Sequence, residues 1–248
     1  MDRDITAFCA RMPSHPHWTR RAALAAMLGL ASSAAWGNDG WTLRHVDDAA
    51  GIQVWLEQNP GPYPRFRARM TLPHTRLASA VALLRDAASM PRWVYATKSA
   101  HHLSGGGGAT GVSRVINELP GPLSDRESVV QWAWSVDATG RVVTLSGQPA
   151  TAPPEPLPNT VRMPGFASSW TLRALAGAGA GAGAEQDGVD IEFEGWANPG
   201  GNLALPFMRR LVAESVWQAP LNTLLGMQKM MSLEPYRSAV LPVFLRVP

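Results

Sequence analysis

Val130, Trp132, Trp134 and Val136 alternate with Gln131, Ala133 and Ser135, and this two-residue period recurs along the middle of the chain. Successive side chains of a strand point to opposite faces, so segments patterned this way carry one apolar face that a second layer has to cover. Ile52, Val54 and Leu56 alternate in the same way with Gln53, Trp55 and Glu57. After the Pro60-Gly61-Pro62 turn, Phe66, Ala68, Met70 and Leu72 alternate with Arg67, Arg69 and Thr71. The spacing predicts an antiparallel pair there.

The period then changes. From His74 to Met90, Leu77, Val81, Leu84 and Ala88 recur at helical spacing, which predicts an amphipathic helix stopped by Pro91. Beyond it a meander is expected. Strands 93–103 and 112–118 flank Gly105 to Gly108, 130–136 and 142–145 flank the turn at Asp137 to Gly140, and 161–175, interrupted near Pro164-Gly165, is followed by 189–196. The five prolines from Pro149 to Pro158 mark a connection. The Gly-Ala run from Gly177 to Ala184 reads as a hairpin tip. Leu203, Phe207, Leu211 and Val212, and after Pro220 Leu224, Leu225, Met227 and Met231, mark a long final helix, with Pro206 in its first turn. The sum is an α+β fold in which helices lie across one antiparallel sheet.

Residues 1–37 read as an export signal and 38–248 as one soluble domain. Arg20-Arg21 precedes an uncharged run from Ala22 to Ala35, and Ala35-Trp36-Gly37 fits a small-x-small cleavage site. The run is shorter than the roughly 20 apolar residues of a membrane span. Thr19-Arg20-Arg21 is similar to a twin-arginine signal, with alanine in place of the bulky residue that normally follows. Cleavage before Asn38 would leave 18 cations and 17 anions, and would remove Cys9, the single cysteine. Such a chain suits an oxidising periplasm. Only two of the cations are lysines, Lys98 and Lys229, and no basic stripe occurs, so nucleic acid is not an expected partner.

Two motifs carry a family resemblance. Leu119-Pro120-Gly121-Pro122-Leu123-Ser124-Asp125-Arg126-Glu127 is similar to the proline-rich turn and Arg-Asp pair of the START lipid-transfer domain family, with glutamate for aspartate. Asn198-Pro199-Gly200-Gly201, followed by Leu203, Leu205 and Pro206, is similar to that family's Asp-Pro-Gly-Gly turn before its C-terminal helix. Gly51 to Trp55 resembles its first strand, and the resemblance spans residues 41 to 235. It implies a helix-grip architecture, a curved antiparallel sheet wrapped around the long C-terminal helix with a lipid-sized cavity between them.

On the residues' own terms, Trp132, Trp134, Ile191 and Phe193 on the sheet, facing Leu203, Phe207, Met208 and Leu211 on the helix, are the candidate ligand contacts. Flexible Met227, Met230 and Met231 could adapt to cargo of variable shape. The same stripes also fit a filled core. Arg162, flanked by Val161 and Met163, is the candidate for a ligand head group or for a buried acid such as Glu192 or Glu194. Asp125, Arg126 and Glu127 read as a turn-stabilising group at an exposed corner.

No chemistry-bearing motif competes with this reading. His45, His74, His101 and His102 lack zinc-ligand spacing, no Gly-x-Ser-x-Gly elbow occurs, and the glycine run lacks the Lys-Ser/Thr of a phosphate loop. Neither a metal nor a cofactor is expected. The expected function is non-enzymatic binding and carriage of a hydrophobic ligand, a lipid above all, in the periplasm or outside the cell. The Gly-Ala tip and Trp217 are its expected points of transient membrane contact. The alternatives are a cyclase- or aromatase-like enzyme in the same kind of pocket, which needs an inward acid or base such as a His or one of Tyr63, Tyr95 and Tyr236, and a partner-binding protein with a filled core.

Overall fold

The structure, a computed structural model, describes residues 40–119, 123–175, 188–201 and 206–247, with the backbone alone over 206–215. The export signal and cleavage site, Cys9, the Gly-Ala tip, Leu203 and the side chains of Phe207, Met208 and Leu211 lie outside the described residues.

Ten strands form one sheet: β1 (Trp41–Asp47), β2 (Ile52–Glu57), β3 (Phe66–Pro73), β4 (Thr97–Ser104), β5 (Thr110–Asn117), β6 (Asp125–Val136), β7 (Val142–Pro149), β8 (Thr160–Arg162), β9 (Gly165–Ala174) and β10 (Gly188–Asn198). Their order is β1-β2-β3-β10-β9-β7-β6-β5-β4, antiparallel throughout, with β8 added in parallel to β6. Helices α1 (Leu77–Arg85) and α2 (Pro206–Met231) complete the α+β helix-grip fold. The two long-range joins, β3 to β10 and β7 to β9, close the meander around α2.

Three local expectations change. The chain has a strand before Ile52: β1 is an edge strand with Leu43 and Val46 exposed, so it carries no burial period to read. The first helix ends at Arg85 because the Asp86 carboxylate accepts the Ser89 N–H (3.2 Å) and starts a separate 3₁₀ turn, Ala87–Arg92, which contains Pro91. Ala88 is exposed, while α1 is buried nearly all round, from Leu77 through Val81 to Leu84. The 161–175 segment splits into β8, which runs parallel to β6, and antiparallel β9, since Pro164 cannot donate to a ladder. Pro206 opens α2, as its missing N–H allows, and Pro220 lies within the same continuous helix.

Candidate functional site

Three cross-strand rungs on the inner face decide where the molecule is filled and where it is hollow. The first runs Val136–Val143–Leu172–Ile191–Met70–Ile52 across β6, β7, β9, β10, β3 and β2. All of these but Val136 are fully buried, as are Leu77 and Leu83 of α1 and Leu224 and Met227 of α2, so this end is solid core. Each such side chain contributes about 1.5–3 kcal/mol by leaving water.

The second rung is Trp134–Leu145–Trp170–Phe193–Ala68. Trp170 stacks on Phe193 with centroids 3.8 Å apart and planes 8° from parallel, and Trp93 meets Trp170 edge-on at 6.2 Å. The third rung is Gly111–Trp132–Gly147–Ser168–Gly195–Phe66. Its small members Gly147, Ser168 and Gly195 leave space above the sheet, and a cavity of about 360 Å³ opens over them, while the Trp132 ring covers Gly111. Gly111 is required in that place, because a Cβ there would stand 2.4 Å from the Trp132 ring. On the helix side, among the described residues, the cavity meets Ala219, Pro220 and Thr223 of α2.

Several polar groups of the wall are tied to one another, while Arg85 Nε is buried there without a hydrogen-bond partner among the described residues. The Trp132 indole N–H donates to Ser113 Oγ (2.8 Å), Ser113 Oγ lies 2.9 Å from His102 Nδ1, and His102 Nε2 lies 3.0 Å from the Arg85 carbonyl oxygen. Gly106 passes over the imidazole, with its Cβ position 2.9 Å from His102 Cδ2, so the glycine run folds onto this histidine. Ser128 donates to the Met163 sulfur at 3.1 Å, and Asn117 Nδ2 to Thr97 Oγ1 at 3.2 Å. Among the described residues no three His, Cys, Asp or Glu side chains come together as a metal site would need.

Of the residues singled out from the sequence, Trp132, Trp134 and Phe193 line this cavity together. Ile191 belongs to the solid rung beside it. Met227, Met230 and Met231 of α2 are buried in the same core and do not line the cavity. Arg162 is on the other face of the sheet. Its guanidinium donates twice to Glu127 Oε2 (3.0 Å each) and to the Pro154 carbonyl, so the acid it meets is Glu127, neither Glu192 nor Glu194. Glu192 is half-buried on β10, and Glu194 pairs with Arg67. Residues not singled out are His102, Ser113 and Ser168. Alternation on β5 does not decide its facing, because apolar Val112 and Ile116 lie on one face and Val115 lies with Ser113 on the other.

The corner before β6 is buried, which corrects the expectation of an exposed one. Glu127 is 0% exposed between Arg114 (Nε to Oε1, 2.7 Å, an ion pair whose N–H is not aligned for a hydrogen bond) and Arg162. The proline-rich connection covers all three, held by Arg162 at Pro154 and by Arg114 at the Glu155 carbonyl (3.2 Å). Arg126, 4% exposed, donates to the Ser124, Pro199 and Gly200 carbonyls, and burial pushes its pKa down. Asp125 alone faces outward, paired with Lys98.

No family model matches the sequence, and no curated protein matches it either. Solved structures do match in fold. A STAR-related lipid transfer protein fragment from Xanthomonas axonopodis superimposes with a TM-score of 0.65 at 24% identity, over 79% of this chain and 100% of that one. Human STARD10 gives 0.62 at 16% identity over 82% and 78%, and human StAR-related lipid transfer protein 5 gives 0.59 at 12% over 78% and 89%. The architecture is therefore that of a START domain.

Proposed function

We propose that this START-fold chain binds one apolar molecule of single-chain size, a lipid above all, and carries it without chemical change. The observation that carries the reading is the small rung Gly147–Ser168–Gly195. It withholds side-chain volume in mid-sheet, beside a rung of tryptophans, where a protein built only for stability would fill the space. At roughly 30 Å³ for a water-sized group, the cavity has room for at least about a dozen carbons, an alkyl chain or a compact ring system. A dozen methylenes leaving water contribute about 10 kcal/mol before the cost of immobilising the ligand is subtracted. Affinity of that origin needs no reacting group. Two of the solved structures that share the fold are named as lipid transfer proteins.

The enzyme alternative asks for an inward acid or base, and His102 faces the cavity. Both of its ring nitrogens are engaged, however, one by Ser113 and one by a backbone carbonyl, which favours a structural or binding role over proton transfer to cargo.

We further propose that the chain works outside the cytoplasm, on the strength of the arginine-led apolar run from Ala22 to Ala35. N-terminal sequencing of protein from the periplasmic fraction should begin at Asn38, and a start at Met1 there would contradict it. No helix among the described residues is long and apolar enough to cross a membrane.

Carriage is tested by mixing donor vesicles holding a fluorescent single-chain lipid with unlabelled acceptors. The protein should speed transfer in proportion to its concentration. Transfer at the spontaneous rate, with the protein folded, would sink the carrier reading.

A further inference from the structure

The hydrogen bonds of the cavity wall have a fixed direction. The Arg85 carbonyl oxygen can only accept, so His102 Nε2, 3.0 Å away, carries the ring proton. In its neutral form His102 then presents Nδ1 as an acceptor, and among the described residues the proton available to it across the 2.9 Å contact is that of the Ser113 hydroxyl. The Trp132 indole, a donor only, gives its N–H to Ser113 Oγ at 2.8 Å. The relay therefore runs Trp132 to Ser113 to His102 to the Arg85 carbonyl, each step donating to the next. A hydroxyl oxygen accepts at two positions, and Trp132 takes one. Among the described residues no other donor reaches the second, and Ser113, 5% exposed, lines the cavity.

We infer that Ser113 is the polar anchor of the cavity and that its polarity is set: it accepts a hydrogen bond from the ligand and has no proton to give. The inference rests on the cavity-binding reading above and deepens it by naming the ligand's polar chemistry. The preferred occupant is an apolar molecule bearing a hydroxyl or another O–H or N–H donor. At Ser113 itself a molecule whose polar group only accepts, such as an ether, ketone or ester, would find no donor, or would take the Ser113 proton from His102 and leave Nδ1 unpaired. His102 and Trp132 act through Ser113 and are positioning residues. The imidazole is held by Gly106 above it and packs edge-on to Trp132 with ring centroids 5.6 Å apart, so the direction of the relay is built into the fold.

The test compares 1-dodecanol with dodecyl methyl ether, two probes of the right length, by quenching or enhancement of the protein's tryptophan fluorescence in full-length wild type. The extra methyl of the ether favours the ether, so the comparison is biased against the inference. Wild type should bind the alcohol at least fivefold more tightly. Ser113→Ala should abolish the preference. His102→Phe, which keeps a ring against Trp132 but frees the Ser113 proton, should shift it toward the ether, an effect that mere loosening of the wall would not produce. Wild type binding both probes equally overturns the anchor and leaves the carrier reading standing, with no variant needed. Wild type binding neither probe overturns both.

Discussion

Arg126 Nε donates to the Pro199 carbonyl oxygen, 73 residues on, at 2.6 Å, so the two sequence motifs are in direct contact. The guanidinium also reaches the Ser124 carbonyl at 2.6 Å and the Gly200 carbonyl at 3.5 Å. It locks the turn that leads into α2 against the start of β6. Arg126→Met leaves these buried carbonyls without a donor and should cost about 2–4 kcal/mol, a fall in Tm of roughly 5–15 °C for a domain of this size. Arg126→Lys should recover only part of it, because an ammonium cannot span carbonyls on three sides. Thermal unfolding of both variants measures this, and a wild-type Tm in Arg126→Met would show that the contact holds nothing.

Glu127 is the single acid between two arginines. Glu127→Gln leaves two partly buried guanidiniums unneutralised and should destabilise by about 3–5 kcal/mol. Arg162→Met leaves the Arg114 pair intact and should lose only about 1–2 kcal/mol. Since Arg162 lies on the face away from the cavity, occupancy by co-purifying lipid should be the same in Arg162→Met as in wild type. Lipid lost from that variant alone, measured by mass spectrometry of a solvent extract, would return Arg162 to the ligand site.

Gly226 sits in α2 where the helix passes the Trp93 backbone. An added Cβ would stand 2.5 Å from the Trp93 carbonyl oxygen. Helix propensity alone favours alanine by about 1 kcal/mol, but the obstacle is backbone and cannot rotate away, so overpacking of about 1–3 kcal/mol should decide the sign. Gly226→Ala should lower the denaturant midpoint. A raised midpoint would mean that α2 lies farther from that turn.

Tyr236 is buried and gives its hydroxyl proton to Asp86 Oδ2 at 2.7 Å, joining the segment after α2 to the end of α1. Burial first, and the bond to Asp86 second, push the phenol above its ordinary 10.0. The fold thus favours the neutral form, and the unfolded chain ionises earlier as pH rises. The contribution is complete below about pH 10 and is lost as pH climbs through the raised folded-state value. Lys98, also raised beside Asp125, acts in the same direction and range, so the comparison is between variants. Tyr236→Phe should be less stable than wild type at pH 8, with the gap closing above pH 10. A gap that stays constant to pH 11 would contradict the shift.

The parts of this molecule legible in the sequence are those where one face is apolar and the other polar or charged. Val189, Ile191 and Phe193 against Asp190, Glu192 and Glu194 gave β10 its facing directly, because Asp190 and Glu194 are held outside by Arg69 and Arg67. Trp132 and Trp134 were legible for the same reason. The hollow was not. A cavity wall carries Gly, Ser and His where a core carries Val and Leu, so on β5 the inner face holds Gly111, Ser113, Val115 and Asn117 while the outer face holds Val112, Arg114 and Ile116. Ile116 is itself buried on that outer face. With apolar and polar residues on both faces, the two-residue period cannot orient such a strand. Arg162 misled for a related reason: the five-proline connection covers the outer face there, so a charged side chain beneath it is as enclosed as one in the cavity, and only the pairing of β8 with β6 shows which side it is on.

The central claim is that the space above Gly147, Ser168 and Gly195 is kept open for a ligand. Native mass spectrometry of protein purified from its own compartment measures this most directly, with Ser168→Phe, which fills that space, as the paired sample. The account predicts a wild-type population carrying one added mass of single-chain size, and a Ser168→Phe population at the bare protein mass with a Tm equal to or above that of wild type. A bare wild-type mass that stays bare after incubation with single-chain lipids, or an added mass that persists in Ser168→Phe, would contradict it.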